Sequence, residues 1–270
     1  MKKIILMLTI AIGAMGTAFA QQENPRGLYK LQKFVYDDGS ENTPPFNQYK
    51  YCADHITLQI SLQETDNTAA FLMGNNDGKP LNYTGKQPVG DDGRGIQIFD
   101  SNKDHFTLRW YNNRMPNNQL FPYDAFTSEV YSSKTGISAK MKEIIGMLNG
   151  TVTAKKPNKF TGVWKRRGMS DKVNGTGQLF EMRPMYKIYT DNKMLIMEGE
   201  FNDAANLQIG GNLWSYEAFT DRLIKENMNS CLVTWIDDNS FSLIWITEGY
   251  PAVEIWDKVD MPEIFKNTFK

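Results

Sequence analysis

The sequence predicts an all-β protein with a minor helical part, built as two tandem up-and-down antiparallel β-barrels of about eight strands each. Three observations lead there. Apolar and polar residues alternate at period two in many short segments bounded by turn-forming residues, the pattern of half-buried strands. One pattern occurs twice: Arg26-Gly27-Leu28-Tyr29-Lys30 returns as Thr161-Gly162-Val163-Trp164-Lys165, Tyr49-Lys50 as Tyr186-Lys187, and Phe106-Thr107-Leu108-Arg109-Trp110 as Phe241-Ser242-Leu243-Ile244-Trp245. The pairs Gly27 with Gly162 and Phe106 with Phe241 are both 135 residues apart, so the repeated unit is a domain. Finally, if the strands run alternately up and down, tight turns fall at one end and long connections at the other. That describes a barrel with a closed bottom and an open mouth, and closure removes exposed sheet edges.

The elements follow in chain order. Lys2 and Lys3, the apolar stretch Ile4–Ile12 and the small residues Ala18 and Ala20 read as a signal peptide over residues 1–20, with cleavage near Ala20 and a secreted or periplasmic destination. The first barrel is expected over 24–149 with a trailing helix, a linker over 150–158, and the second barrel over 159–270. Strands of the first copy are expected at Leu28–Phe34, Gln48–Cys52, Ile56–Leu62, Ala69–Met73, Leu81–Thr84, Gly95–Phe99, Phe106–Tyr111 and Phe126–Tyr131. Ala53-Asp54-His55 and Asp100–Asp104 are turns, matched in the second copy by Thr190-Asp191-Asn192 and Asp237-Asp238-Asn239. Asp37–Asn47, Gly85–Arg94 and Asn112–Pro122 are the long connections of the mouth. Ile137, Met141, Ile144 and Leu148 recur at helical spacing before Gly150, so a helix is expected on the outside of the first barrel. Strand and helix patterns compete over Phe219–Met228, and Pro262 is expected to limit any helix in the tail Asp260–Lys270.

Alternation also assigns faces. Phe-x-Leu-x-Trp places Phe106, Leu108 and Trp110, and Phe241, Leu243 and Trp245, on one face, which is assigned to the interior. Tyr49 and Tyr186 begin strands descending from the mouth.

Several function classes lack support. Removing Lys2 and Lys3 takes the net charge from −1 to −3, without the basic character expected of a nucleic-acid binder. After the signal segment no apolar run is long enough for a membrane helix. There is no Gly-x-Ser-x-Gly, His-Glu-x-x-His, phosphate-binding loop or Cys-x-x-Cys, so no catalytic residue, metal site or cofactor is assigned. His55 and His105 follow turns and read as exposed; Asp91-Asp92-Gly93 and Asn75–Gly78 read as turns rather than calcium loops. Cys52 and Cys231 lie in different repeats, which excludes intra-domain disulfides and leaves a bridge between domains open.

Gly162-Val163-Trp164 on the first strand of a compact barrel resembles the Gly-x-Trp hallmark of the lipocalins; the first copy departs from it as Gly27-Leu28-Tyr29. A helix after the last strand, Ile137–Leu148, is also similar. The chain resembles a tandem of short, bacterial, secreted lipocalin-like domains of the calycin group over about Asn24–Leu148 and Lys159–Lys270. The resemblance implies a barrel for a small apolar or amphipathic molecule, with a basic residue near the motif Trp, for which Lys258 and Arg109 are candidates.

The functional expectation is a non-enzymatic secreted binding protein whose partner is a small hydrophobic ligand. Aromatic residues near the mouth are the candidate lining, because a pocket needs apolar walls and a few placed polar groups. They are Tyr49, Tyr51, Phe71 and Trp110 in the first copy and Tyr186, Ile188, Trp235 and Trp245 in the second. The alternative is a structural or protein-interaction module with filled barrels, acting through its long connections or the cleft between domains. An enzyme on the same scaffold would draw on Glu248 and Tyr250.

Overall fold

The computed structural model describes residues 25–36, 38–45, 47–53, 57–62, 94–112, 127–172, 176–199, 209–246 and 253–268. The first copy contributes β1 (Gly27–Val35), β2 (Glu41–Asn42), β3 (Asn47–Cys52), β4 (Thr57–Leu62), β5 (Arg94–Phe99), β6 (His105–Asn112) and β7 (Thr127–Ser132). Helix α1 (Ala139–Leu148) follows. The second copy contributes β8 (Gly162–Ser170), β9 (Leu179–Phe180), β10 (Met185–Tyr189), β11 (Lys193–Gly199), β12 (Ile209–Ala218), β13 (Leu223–Glu226), β14 (Asn229–Asp237), β15 (Ser240–Trp245), β16 (Val253–Val259) and helix α2 (Glu263–Thr268).

The second copy is a closed antiparallel barrel. Its order is β10-β11-β12-β13-β14-β15-β16-β8, closed by pairing of β10 with β8, while β9 adds to the rim of β8. This eight-stranded closure is compatible with a calycin-like fold. In the first copy the described strands form a sheet of order β4-β3-β1-β7-β6-β5, with β2 on β1, and this sheet does not close among the described residues. The expected strands Ala69–Met73 and Leu81–Thr84 lie outside the described residues, as do the predicted signal segment and most of the first copy's long connections.

The two copies match in register. Phe106 faces Tyr131 and Leu108 faces Glu129 across β6 and β7; Phe241 faces Trp256 and Leu243 faces Glu254 across β15 and β16. Both first strands begin at a glycine with positive φ, 94° at Gly27 and 125° at Gly162, a region that penalises any Cβ. The repeated glycine is therefore a backbone requirement.

Over Phe219–Met228, where strand and helix patterns compete, Leu223–Glu226 forms β13, whose Ile224 and Glu226 are buried toward the barrel core, flanked by turns. Two expectations are corrected. Pro262 does not limit the tail helix but precedes it, its carbonyl accepting from Phe265 N at 2.9 Å; a proline at a helix start gives up no intrahelical bond. Helix α1 is not merely an outer layer of the first copy. Met141, Ile144, Ile145, Met147 and Leu148 are buried in one cluster with Tyr49, Ile60 and Leu62 of the first sheet and Ile188, Leu195, Met197, Ile209 and Leu213 of the barrel. The helix is capped by Ser138, whose hydroxyl accepts from Met141 N, and it ends at Gly150 with φ 73°.

Candidate functional site

Alternation along each strand decides what enters the barrel. On β10, Met185, Lys187 and Tyr189 share the inner face, while Tyr186 and Ile188 pack outward on the α1 cluster. On β8 the inner residues are Trp164 and Arg166, and on β16 Glu254 and Trp256.

The closed end is an aromatic plug. Phe160, just before β8, lies with its ring 5.2 to 6.4 Å from those of Tyr189, Tyr216, Trp235 and Phe241. Its carbonyl accepts from Trp164 Nε1 at 2.6 Å, and Trp164 packs edge-on to Phe241 at 4.7 Å. Lys258 Nζ sits 5.7 Å from the Trp164 ring. An open hollow of about 520 Å³ at this end, lined by Asn158, Asp191, Asn192 and Tyr216 among others, exposes no buried unpartnered group.

Deeper inside lies a charged network. Lys187 and Glu226 are fully buried, and Lys187 Nζ donates to the two Glu226 carboxylate oxygens at 2.8 and 3.0 Å. Tyr189 also donates to Glu226. The Lys187 ammonium stands 3.7 Å from Glu254 and over the rings of Trp256 and Trp245, at 4.4 and 5.3 Å. Glu254 accepts from Trp256 Nε1 at 3.1 Å, Trp245 Nε1 at 3.4 Å and Arg166 Nη1 at 3.4 Å. Arg166 Nη2 donates to the Arg183 carbonyl at 3.0 Å, on the connection into β10, and lies 3.9 Å from Glu198. Charges survive burial only when paired and hydrogen-bonded, and these are.

Burial, and then the Glu226 charge, push the Tyr189 hydroxyl well above its ordinary range, which keeps it a donor. The same two causes push the Cys231 thiol up to about 12, which disfavours its thiolate form. Cys52 and Cys231 are buried in separate cores and form no disulfide with each other. No group of three or more His, Cys, Asp or Glu suited to a metal occurs among the described residues.

Among the described residues, two donors in this region find no acceptor: Arg166 Nε and Trp214 Nε1, both shielded from solvent. The Trp214 ring packs edge-on to Trp245 at 6.1 Å, and Trp245 shares Glu254 with Arg166, so both orphans belong to one assembly. A buried donor without an acceptor costs about 1–3 kcal/mol.

The first copy repeats half of this arrangement. Lys50 is buried, 4.0 Å from Glu129, and donates to Gln59 at 3.1 Å. Tyr131 donates to Glu129 at 2.7 Å and accepts from Gln48 at 2.8 Å. Burial lowers the Lys50 ammonium from its ordinary range. Leu31 stands where the second copy has Arg166.

The sequence-predicted lining residues scatter. Tyr49, Tyr51, Tyr186 and Ile188 face the α1 cluster, while the opposite faces of β3 and β10 carry Lys50 and Lys187. Trp235 lies at the closed end, its Nε1 donating to the Asp221 carbonyl at 2.7 Å. Trp245 borders the charged network. Phe71 and the side chain of Trp110 lie outside the described residues, as do Glu248 and Tyr250. Sequence reasoning missed Lys187, Glu254 and Arg166. A signal for the first two existed: Lys follows Tyr in both repeats, and Glu129-Val130-Tyr131 returns as Glu254-Ile255-Trp256. Comparison of the chain with family models and with curated proteins finds no match.

Proposed function

We propose that the chain is a secreted or periplasmic, non-enzymatic binding protein of two tandem lipocalin-like domains, with the ligand site in the second. One observation carries this reading. A barrel filled only for stability has no reason to bury two donors without acceptors beside three tryptophans, whereas a receptor awaiting a ligand does. The paired carboxylates and the suppressed thiol argue for binding rather than turnover.

Titration of the protein with lipid, sterol, haem and bile-acid-like compounds, followed by tryptophan emission, is expected to give a saturable shift with at least one class. Trp245→Ala removes that response. A flat emission signal across the whole panel defeats the reading.

A second reading, an interaction module acting through its connections, draws on the exposed side chains of Leu179, Phe180 and Met182 beside the β9 rim. It requires self-association or partner binding that Leu179→Ser and Phe180→Ser abolish in sedimentation velocity.

A further inference from the structure

The charge balance of the barrel interior points to the chemical class of the ligand, an inference that rests on the binding reading above. We infer that the site selects an uncharged molecule with an apolar body and an acceptor oxygen of the carbonyl type, and that it discriminates against carboxylates and amines of the same skeleton.

Both unmet groups, Arg166 Nε and Trp214 Nε1, are donors only. The complementary atom is an acceptor, and an ammonium offers none. Arg166 is itself more than nine-tenths buried, with its side chain 6% exposed, so a cation there would meet a guanidinium without bulk water to screen the pair.

A carboxylate supplies acceptors but brings charge. The cationic groups inside, Arg166 and Lys187, are already matched by Glu254 and Glu226, and the partly exposed Glu198 stands 3.9 Å from Arg166. An anionic ligand would add an unbalanced negative charge in a poorly screened interior, close to Glu254. A neutral carbonyl oxygen can accept from an orphan donor without disturbing that balance. The rings of Trp214 and Trp245, packed at 6.1 Å, provide apolar surface beside it. The first copy has Leu31 in place of Arg166, which assigns the preference to the second.

The test uses the whole protein and three probes with one alkyl chain: methyl decanoate, decanoate and decylamine, titrated at neutral pH below their aggregation concentrations. Methyl decanoate is expected to bind at least about tenfold tighter than decanoate, with decylamine weakest. Arg166→Lys keeps a positive charge but loses Nε, and Trp214→Phe keeps a ring but loses its N–H; each is expected to weaken ester binding by about three- to tenfold. Circular dichroism checks that both variants fold, and the inference stands on either one that does. Decanoate binding as tightly as the ester, or ester affinity unchanged in a folded variant, overturns the inference while leaving a binding protein. Absence of binding by all three probes, together with a flat response to the wider panel, overturns the binding reading and this inference with it.

Discussion

Lys187 shows how a single side chain is held where water does not reach. Its ammonium depends on Glu226, Glu254 and the faces of two tryptophans. Lys187→Met strands a buried carboxylate and is expected to cost about 3–5 kcal/mol in urea unfolding, whereas Lys187→Met combined with Glu226→Leu recovers most of that loss. A single substitution costing less than about 1 kcal/mol would show that the pair is not an obligate unit. Gly162 makes a different demand. With φ at 125°, Gly162→Ala is expected to cost about 1–2 kcal/mol, and Gly27→Ala a similar amount at φ 94°. Nothing lies within 4 Å of a Cβ built at Gly27, so the penalty there is conformational and not steric. Equal melting temperatures for wild type and both variants would refute this.

At the scale of elements, the segment between α1 and β8 is tied to the barrel by the turn between β10 and β11. Asp191 accepts from the backbone N–H groups of Lys156 and Lys155 at 2.8 and 2.7 Å, and these bonds hold its carboxyl below the ordinary value of 3.8. The sign follows from linkage: a lowered carboxyl contributes fully above 3.8, and its contribution is lost as pH falls through its own lower value. Amide exchange at Lys155 and Lys156 is expected to accelerate, beyond its intrinsic pH dependence, as the solution is acidified through that range; Asp191→Asn should show the faster exchange already at neutral pH. Unchanged protection in the variant would exclude Asp191 as the tie. Strand positions such as β3 and β15 were legible in the sequence because period-two alternation is a local property. Their facing was harder to read. On β3 and β10 both faces carry large side chains, Tyr on one and a long Lys stem on the other, and only tertiary partners reveal which face is inside. The tie at Asp191 and the orphaned donors at Arg166 and Trp214 join residues far apart in sequence, and local pattern carries no trace of such pairings.

At the scale of the whole molecule, one apolar cluster joins both copies through α1 and receives Phe265 from α2. Ile144→Ala is expected to remove about 2–5 kcal/mol. Because that cluster is shared, the loss should lower the unfolding midpoint of the first sheet and of the barrel together. Hydrogen exchange resolved by segment would check this, and independent midpoints for the two halves would contradict it. The helix that joins the halves also sets a condition on how the protein is made. During synthesis the first half and α1 emerge before β10, β11 and β12 exist, so Met141, Ile144 and their neighbours spend that interval without half of their eventual covering. The two related sheets share that apolar seat, so a nascent chain stalled before β8, or a fragment beginning at Lys159, is expected to expose it to water.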